Sequence, residues 1–360
     1  MRRNSNGVLG IMLGIALTVG TGSRLLAADD VNESGASSAG ENISSPVSAL
    51  EFDGTGLPVL ETSFRADPGH DEDHHGGRPR PDTHAPAGLM GDHAHKTGEV
   101  MVEYKFMFMS MDDNRVGRET VSDVAARTAL GFNFGVVPTR MDMNMHMFHV
   151  MYAPSDEITL YVMPMWTSVT MDHRRTNGTT FRTHNEGFDD MSAGALWLID
   201  SGDDGEWIAN LGFSVPTGDL NNKTDRAMPP METLLPYPMR LGSGTFDARP
   251  GLTYKKYWER SSGGLQFQAD LPVGENYRDY SVGNVYQLNG WFSRRLGNEF
   301  STSVRFEGLL RDNYDGADDE LSPMMASMAR TDMRGGDSVN LGLGLIWSLA
   351  DGSRLNFEWV

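Results

Sequence analysis

From about residue 98 onward, large apolar side chains recur at every second position. Leu341, Leu343, Leu345 and Trp347 share one face; Asn340, Gly342, Gly344 and Ser348 share the other. That period is the period of a β-strand, whose successive side chains point to opposite faces. Val100, Val102, Tyr104, Phe106 and Phe108 alternate in the same way with Met101, Glu103, Lys105 and Met107. Further strands of this kind fall at 207–215, 265–271, 286–292 and 304–310, with weaker ones near 129–137, 143–152, 158–167, 190–199, 246–258 and 354–360. Turn signals separate them: Pro154-Ser155, Ser201 to Gly205, Ser261 to Gly264 and Asp351-Gly352. Longer polar loops are expected at about 172–186, 217–244 and 312–337.

One face of these strands is oily and the other carries amides, glycines and mid-strand charge. A secreted β-sandwich also alternates. Several strands, however, run close to the ten residues that a tilted membrane strand needs, and short turns alternate with long loops as in outer-membrane barrels. Aromatic residues near strand ends (Tyr152, Trp207, Tyr254, Tyr257, Trp258, Tyr286 and Trp347) fit interfacial girdles. The pattern predicts an all-β fold, an antiparallel transmembrane β-barrel of about twelve strands. Roughly eleven strands are visible, and bacterial barrels have an even count. Either the chain is truncated after Val360 or the N-terminal arm supplies a strand; truncation is the reading preferred.

Residues 1–28 read as a signal peptide: Arg2 and Arg3 lead, Val8 to Val19 form a short apolar core, and Ala27 and Ala28 are small enough for cleavage. Residues 29–97 are rich in Ser, Gly, Asp, Glu and Pro and read as a disordered arm. The barrel takes 98–360. The formal charge is −19; without residues 1–28, which hold three arginines and no acid, it is −22. So acidic a chain does not seek nucleic acid. No cysteine is present, so no disulfide or thiolate metal site exists. Serine-hydrolase, phosphate-loop and zinc-protease motifs are absent, and an enzyme is not expected.

Candidate chemistry falls into two sets. The lumen face is expected to carry Glu103, Lys105, Gln266, Gln268, Asp270, Gln287, Asn289, Arg305 and Glu307. The other set is soft-metal chemistry. The chain has 23 methionines, and Met141 to Met151 mixes several of them with His146 and His149. Thioethers suit copper(I), and imidazole suits copper(II) or zinc. If 143–152 and 158–167 form a hairpin through a tight turn at 153–156, Met151 opposes Ile158 and Met143 opposes Trp166. Most of the methionine ladder then faces lipid as apolar filler, leaving His146, Met163 and Met165 toward the lumen. An odd loop length would reverse every assignment. In the arm, His70, His74, His75, His84, His93 and His95 form a second candidate metal element for transition-metal ions such as copper or zinc. The acidic stretch 312–320 fails the calcium-loop pattern at Tyr314 and reads as an exposed loop.

Four segments carry a family resemblance: Gly212-Phe-Ser-Val-Pro-Thr-Gly218, Gly242 to Tyr254, Pro138-Thr-Arg-Met141 with Met151 to Ser155, and Gly91-Asp-His-Ala-His95. Together they resemble the outer-membrane transporter family of the phenol-degradation MetA-pathway type, over roughly residues 88–360. The resemblance implies a barrel and a transport role, and it supplies no catalytic residues. Taken with the strand pattern, the expected function is a passive, porin-like channel for small solutes in the outer membrane of a Gram-negative envelope, in contact with its lipid. The alternative is a metal-handling protein that uses the histidine arm and the Met/His positions.

Overall fold

The computed structural model describes residues 52–54, 58–66, 80–117, 119–202, 205–349 and 353–360. The expected signal peptide and His70, His74 and His75 lie outside them. Twelve strands make the barrel: β1 (Pro58–Ala66), β2 (Val100–Val116), β3 (Val136–Tyr152), β4 (Ile158–Met163 continuing as Met165–Arg175), β5 (Thr180–Phe188 continuing as Met191–Gly202), β6 (Gly205–Val215), β7 (Phe246–Tyr257), β8 (Ser261–Val273), β9 (Val285–Arg295), β10 (Phe300–Arg311), β11 (Gly336–Ser348) and β12 (Arg354–Trp359). Each pairs antiparallel with its sequence neighbours. β1 closes the ring by pairing with both β12 (Leu60 opposite Phe357) and β2 (Leu60 opposite Phe106). Closure leaves no open strand edge, so the sheet satisfies its own backbone as hydrocarbon demands.

The expectation of a truncated barrel is therefore corrected: the strand that completes the ring comes from the N-terminal arm. Two further boundaries differ. The weak strand near 129–137 is a short helix, Asp123–Thr128, and a single 3₁₀ turn, Ala129–Gly131; the strand begins only at Val136. Ser122 accepts from the Ala125 N–H and starts that helix. The polar stretch 172–186 is a hairpin extension, in which Asp172 opposes Arg182 and Thr170 opposes His184. Asp172 and Arg182 pair on one face of it, and Phe181 on the other packs against an apolar cluster that includes Met171.

The barrel exterior follows the oily face of the sequence. Leu265, Leu288, Leu341 and Leu343 each leave more than half of their surface exposed. Phe148, Leu160, Leu211, Phe267 and Phe306 lie on the same outer face. A soluble protein does not present such a continuous apolar surface; a barrel in lipid requires it. Tyr152, Trp207, Trp258 and Trp347 are exposed where the turns are short, an aromatic belt of the interfacial kind. No helix among the described residues is long and apolar enough to cross a membrane. Short turns follow β3, β5, β7, β9 and β11; long connections follow β2, β6, β8 and β10. One end of the barrel is therefore plain and the other carries loops.

The turn between β3 and β4 decides which side chains face inward. Ala153 does not close a tight hairpin. Its N–H donates to the Glu99 carbonyl at 3.1 Å, and Asp156 accepts from the Thr97 amide at 2.8 Å. The turn is held open by the segment before β2, and the register becomes Met151 opposite Tyr161 and Met147 opposite Met165. This is three residues away from the tight-turn register, an odd shift that flips β3. The methionine ladder thus faces the lumen, not lipid. His146 turns outward, where it meets the Tyr104 hydroxyl at 2.7 Å. It cannot join Met163 and Met165, which stay inside.

Candidate functional site

Residues 80–97, expected to belong to the disordered arm, run through the lumen near the plain end and fill it. The segment has almost no regular secondary structure, so its buried backbone must find partners elsewhere. It finds them on inward-facing strand side chains. Ser301 Oγ donates to the Pro81 carbonyl at 2.8 Å and Asn356 Nδ2 to the Ala85 carbonyl at 3.2 Å. Lys105 Nζ donates to the Leu89 carbonyl at 3.0 Å, and Gln266 Nε2 to the Met90 carbonyl at 2.8 Å. Thr159 Oγ1 accepts from the His95 N–H at 2.9 Å. Ala85 and Leu89 pack on Trp291, which enters the lumen because Gly264 opposite it has no side chain: a Cβ there would lie 2.5 Å from the indole.

The polar face of the strands supplies this plug and neutralises itself. Arg305 is buried; its Nε donates to Glu358 Oε1 at 2.7 Å, and its Nη1 donates to Asn289 at 2.9 Å and to Glu307. Gly88 N donates to the other oxygen of Glu358. Gly342 makes room for this cluster, since a Cβ there would sit 2.2 Å from Glu358 Oε1. Lys105 lies 3.4 Å from Glu61 and 3.6 Å from Glu103, and Glu103 contacts His149 Nδ1 at 3.1 Å. Arg249 meets Asp270 at 3.0 Å. Gln287 donates to Glu307 at 2.8 Å, and Gln268 reaches the Met90 carbonyl at 3.3 Å. The nine residues expected along the lumen lie on the inner face; they engage one another, the plug or Arg249, while Gln266 Oε1 and Asn289 Nδ2 are buried without a hydrogen-bond partner. Glu61, Glu358, His149 and Arg249 belong to the same network and were not anticipated.

Opposite the plug, β2 to β4 offer a different surface. Met145, Met147 and Met163 are buried together, and Met107, Met109, Met143 and Met165 pack on them with Met90 of the plug. Cross-strand pairs build this wall: Met107 opposes Met145, Met109 opposes Met143, and Met147 opposes Met165. A cavity of about 210 Å³ lies between the plug and the barrel wall. Met90, Gly91, His149, Tyr161, Met163 and Asn210 line part of it, and Arg249, Gln268 and Asp270 close its polar side. Toward the loop end, Met141, Val169, Met171, Leu235, Met239 and Met328 form an apolar cluster. An adjoining cavity of about 150 Å³ is bounded by Val136, Phe181, Leu234, Pro236, Met325 and Met328.

The loops over this end are tied by two buried knots. Asp190, in the break between the halves of β5, accepts from the Gly218 amide at 2.9 Å, the Ser243 amide at 2.6 Å and Ser243 Oγ at 2.9 Å. Two of the resembling motifs therefore converge on one carboxylate. Gly242 adopts φ +85°, and a Cβ there would collide with Asp190 at 2.2 Å. In the second knot Asp318 accepts from Arg240 at 2.8 Å and Arg278 at 3.1 Å. Burial alone would raise the Asp318 pKa, but the Glu320 amide and the two guanidiniums outweigh it and hold the carboxyl below its usual range. The stretch 312–320, expected to be an exposed loop, thus contributes a buried anchor at Asp318.

The arm histidines within the described residues are gathered. The His84 and His93 rings meet edge-on at 4.5 Å between centroids, and His93 and His95 at 4.9 Å. Asp92 Oδ1 lies 2.6 Å from His93 Nδ1, and Asp92 Oδ2 accepts from the Ala85 amide at 2.8 Å.

A closed apolar-coated sheet, an internal plug and a loop-covered far end define a transmembrane β-barrel protein. The chain belongs to the family described as "Putative MetA-pathway of phenol degradation", whose model matches residues 159–360. No curated protein matches it. Among solved structures it is similar to an outer membrane channel from Pseudomonas putida F1, with 12% identity, a TM-score of 0.40, and 89% of this chain and 98% of that one covered. It is also similar to a FadL homologue of Pseudomonas aeruginosa, with 10% identity, a TM-score of 0.36, and 85% and 86% covered. The Pseudomonas putida toluene transporter TodX gives 10% identity, a TM-score of 0.33, and 88% and 90% covered.

Proposed function

We propose that this protein is a passive outer-membrane channel for small apolar solutes, aromatic ones included, and that it reaches the envelope through its N-terminal signal. The methionine wall carries the reading. A water-filled porin has a polar interior, whereas here most polar side chains are committed to the plug and to each other, and the wall over β2 to β4 offers thioether and methylene. Methionine is flexible and polarisable and takes up apolar guests of varied shape. The apolar cavity under the loops and the cavity beside the plug offer successive resting places for such a guest. The family description, phenol degradation, names a solute of this class.

The test is permeation into liposomes holding the folded protein. Toluene or phenol should enter faster than into empty liposomes, while a sugar of similar size should not. Met145→Lys with Met163→Lys, which places two ammonium groups on the wall, should slow aromatic entry while leaving the barrel folded. Equal entry with and without the protein would overturn the proposal.

A further inference from the structure

Within the plug, His84, Asp92 and His93 each bring a donor atom within 4.8 Å of the other two. We propose that these three residues form a binding site for one divalent transition-metal ion of the zinc class, closing the stretch 84–93 into a metal-clipped loop inside the lumen.

The fold already orients the donors: Asp92 Oδ2 accepts from the Ala85 amide at 2.8 Å. The Asp92 carboxylate also holds His93 through Nδ1, and His93 Nε2 is buried with no hydrogen-bond partner. Asp92 Oδ1 and His93 Nδ1 share a proton at 2.6 Å, the place that an ion bound by both would take. Zinc sits about 2 Å from imidazole nitrogen and carboxylate oxygen, so donors this close need only small side-chain rotations to share it.

The choice of ion follows from the donor set. Two imidazoles and one carboxylate favour zinc, nickel or copper(II) over calcium or magnesium, which prefer oxygen. Lys255 Nζ, 3.8 Å from Asp92 Oδ2, further disfavours an ion held by charge alone. The thioether wall is a separate surface and no part of this site. The consequence is mechanical. Positions 84 and 93 flank the backbone groups that Asn356, Lys105 and Gln266 hold, so an ion joining them would stiffen the whole plug.

The experiment uses the full mature protein, folded in detergent, stripped with a chelator and titrated with Zn²⁺ by calorimetry. One ion per chain is expected, with imidazole scattering at the zinc absorption edge and slower amide exchange over 84–93. His84→Gln and His93→Gln should each weaken binding by on the order of 100-fold. The triple variant His70→Gln, His74→Gln, His75→Gln should retain the site. Each variant's folding is checked by circular dichroism, and His95→Gln serves as a histidine-removal control that keeps the three donors. No binding to the folded protein, binding that survives both single variants, or binding lost only in the triple variant would each overturn the proposal.

Discussion

Glu358→Ala tests how the plug is held. The side chain is fully buried, with one oxygen on Arg305 and the other on the Gly88 amide. Its removal has two separable effects. Arg305 keeps Glu307 and Asn289 but loses one of two carboxylates, a change at the low end of the roughly 3–5 kcal/mol measured when a buried ion pair is broken. That loss belongs to the barrel. The Gly88 N–H loses its acceptor in a buried site, costing about 1–3 kcal/mol, and that loss belongs to the plug. Local opening of the plug should therefore become about 5- to 150-fold more frequent, since each 1.4 kcal/mol is tenfold. The assay is amide hydrogen exchange resolved over residues 85–90, beside thermal unfolding of the barrel. Glu358→Gln keeps the shape and one acceptor oxygen, so it should fall between wild type and alanine. Exchange over 85–90 that stays at the wild-type rate in Glu358→Ala, while the melting temperature drops, would refute the reasoning: the plug would then be held without this carboxylate.

Three other outcomes are expected. Gly342→Val places a side chain where Glu358 and Arg305 meet and should lower barrel stability by about 1–3 kcal/mol through overpacking, read as a lower melting temperature. Asp190→Ala strips the acceptor from the Gly218 and Ser243 amides and should cost about 2–4 kcal/mol locally; trypsin should then cut the 216–245 loop faster, with the barrel intact. Asp318 has a folded-state pKa below its unfolded value. Its contribution is therefore present above the unfolded value, about 3.9, and lost as pH falls through the folded one. Melting followed by circular dichroism from pH 7 to pH 3 should show this acid loss, and Asp318→Asn should show less of it.

The barrel was readable from sequence because lipid asks only for oil on one face. Leu341, Leu343 and Leu345 declare that face without reference to any partner. Register is different: it depends on how a turn closes, and the β3–β4 turn is held open by Thr97 and Glu99, residues of another segment. Methionine does not discriminate between the two registers, because it is equally at home against lipid and in an apolar interior. The plug was hidden for a related reason. Its Gly, Pro and His content is that of a solvated tail, and the side chains that satisfy its backbone lie up to 271 positions away.

A signal for it was nonetheless present. Gln266, Asn289, Arg305 and Glu307 put amides and charges in the middle of strands, and Gly342 and Gly344 clear space beside them. A water-filled lumen does not need glycines there. Glu358 would lie 2.2 Å from a Cβ at Gly342, and Ser303 2.2 Å from one at Gly344, so the space is taken by packed polar groups. The polar residues of the inner face chiefly fasten the plug, and on the function proposed above the methionine wall is what a solute would meet.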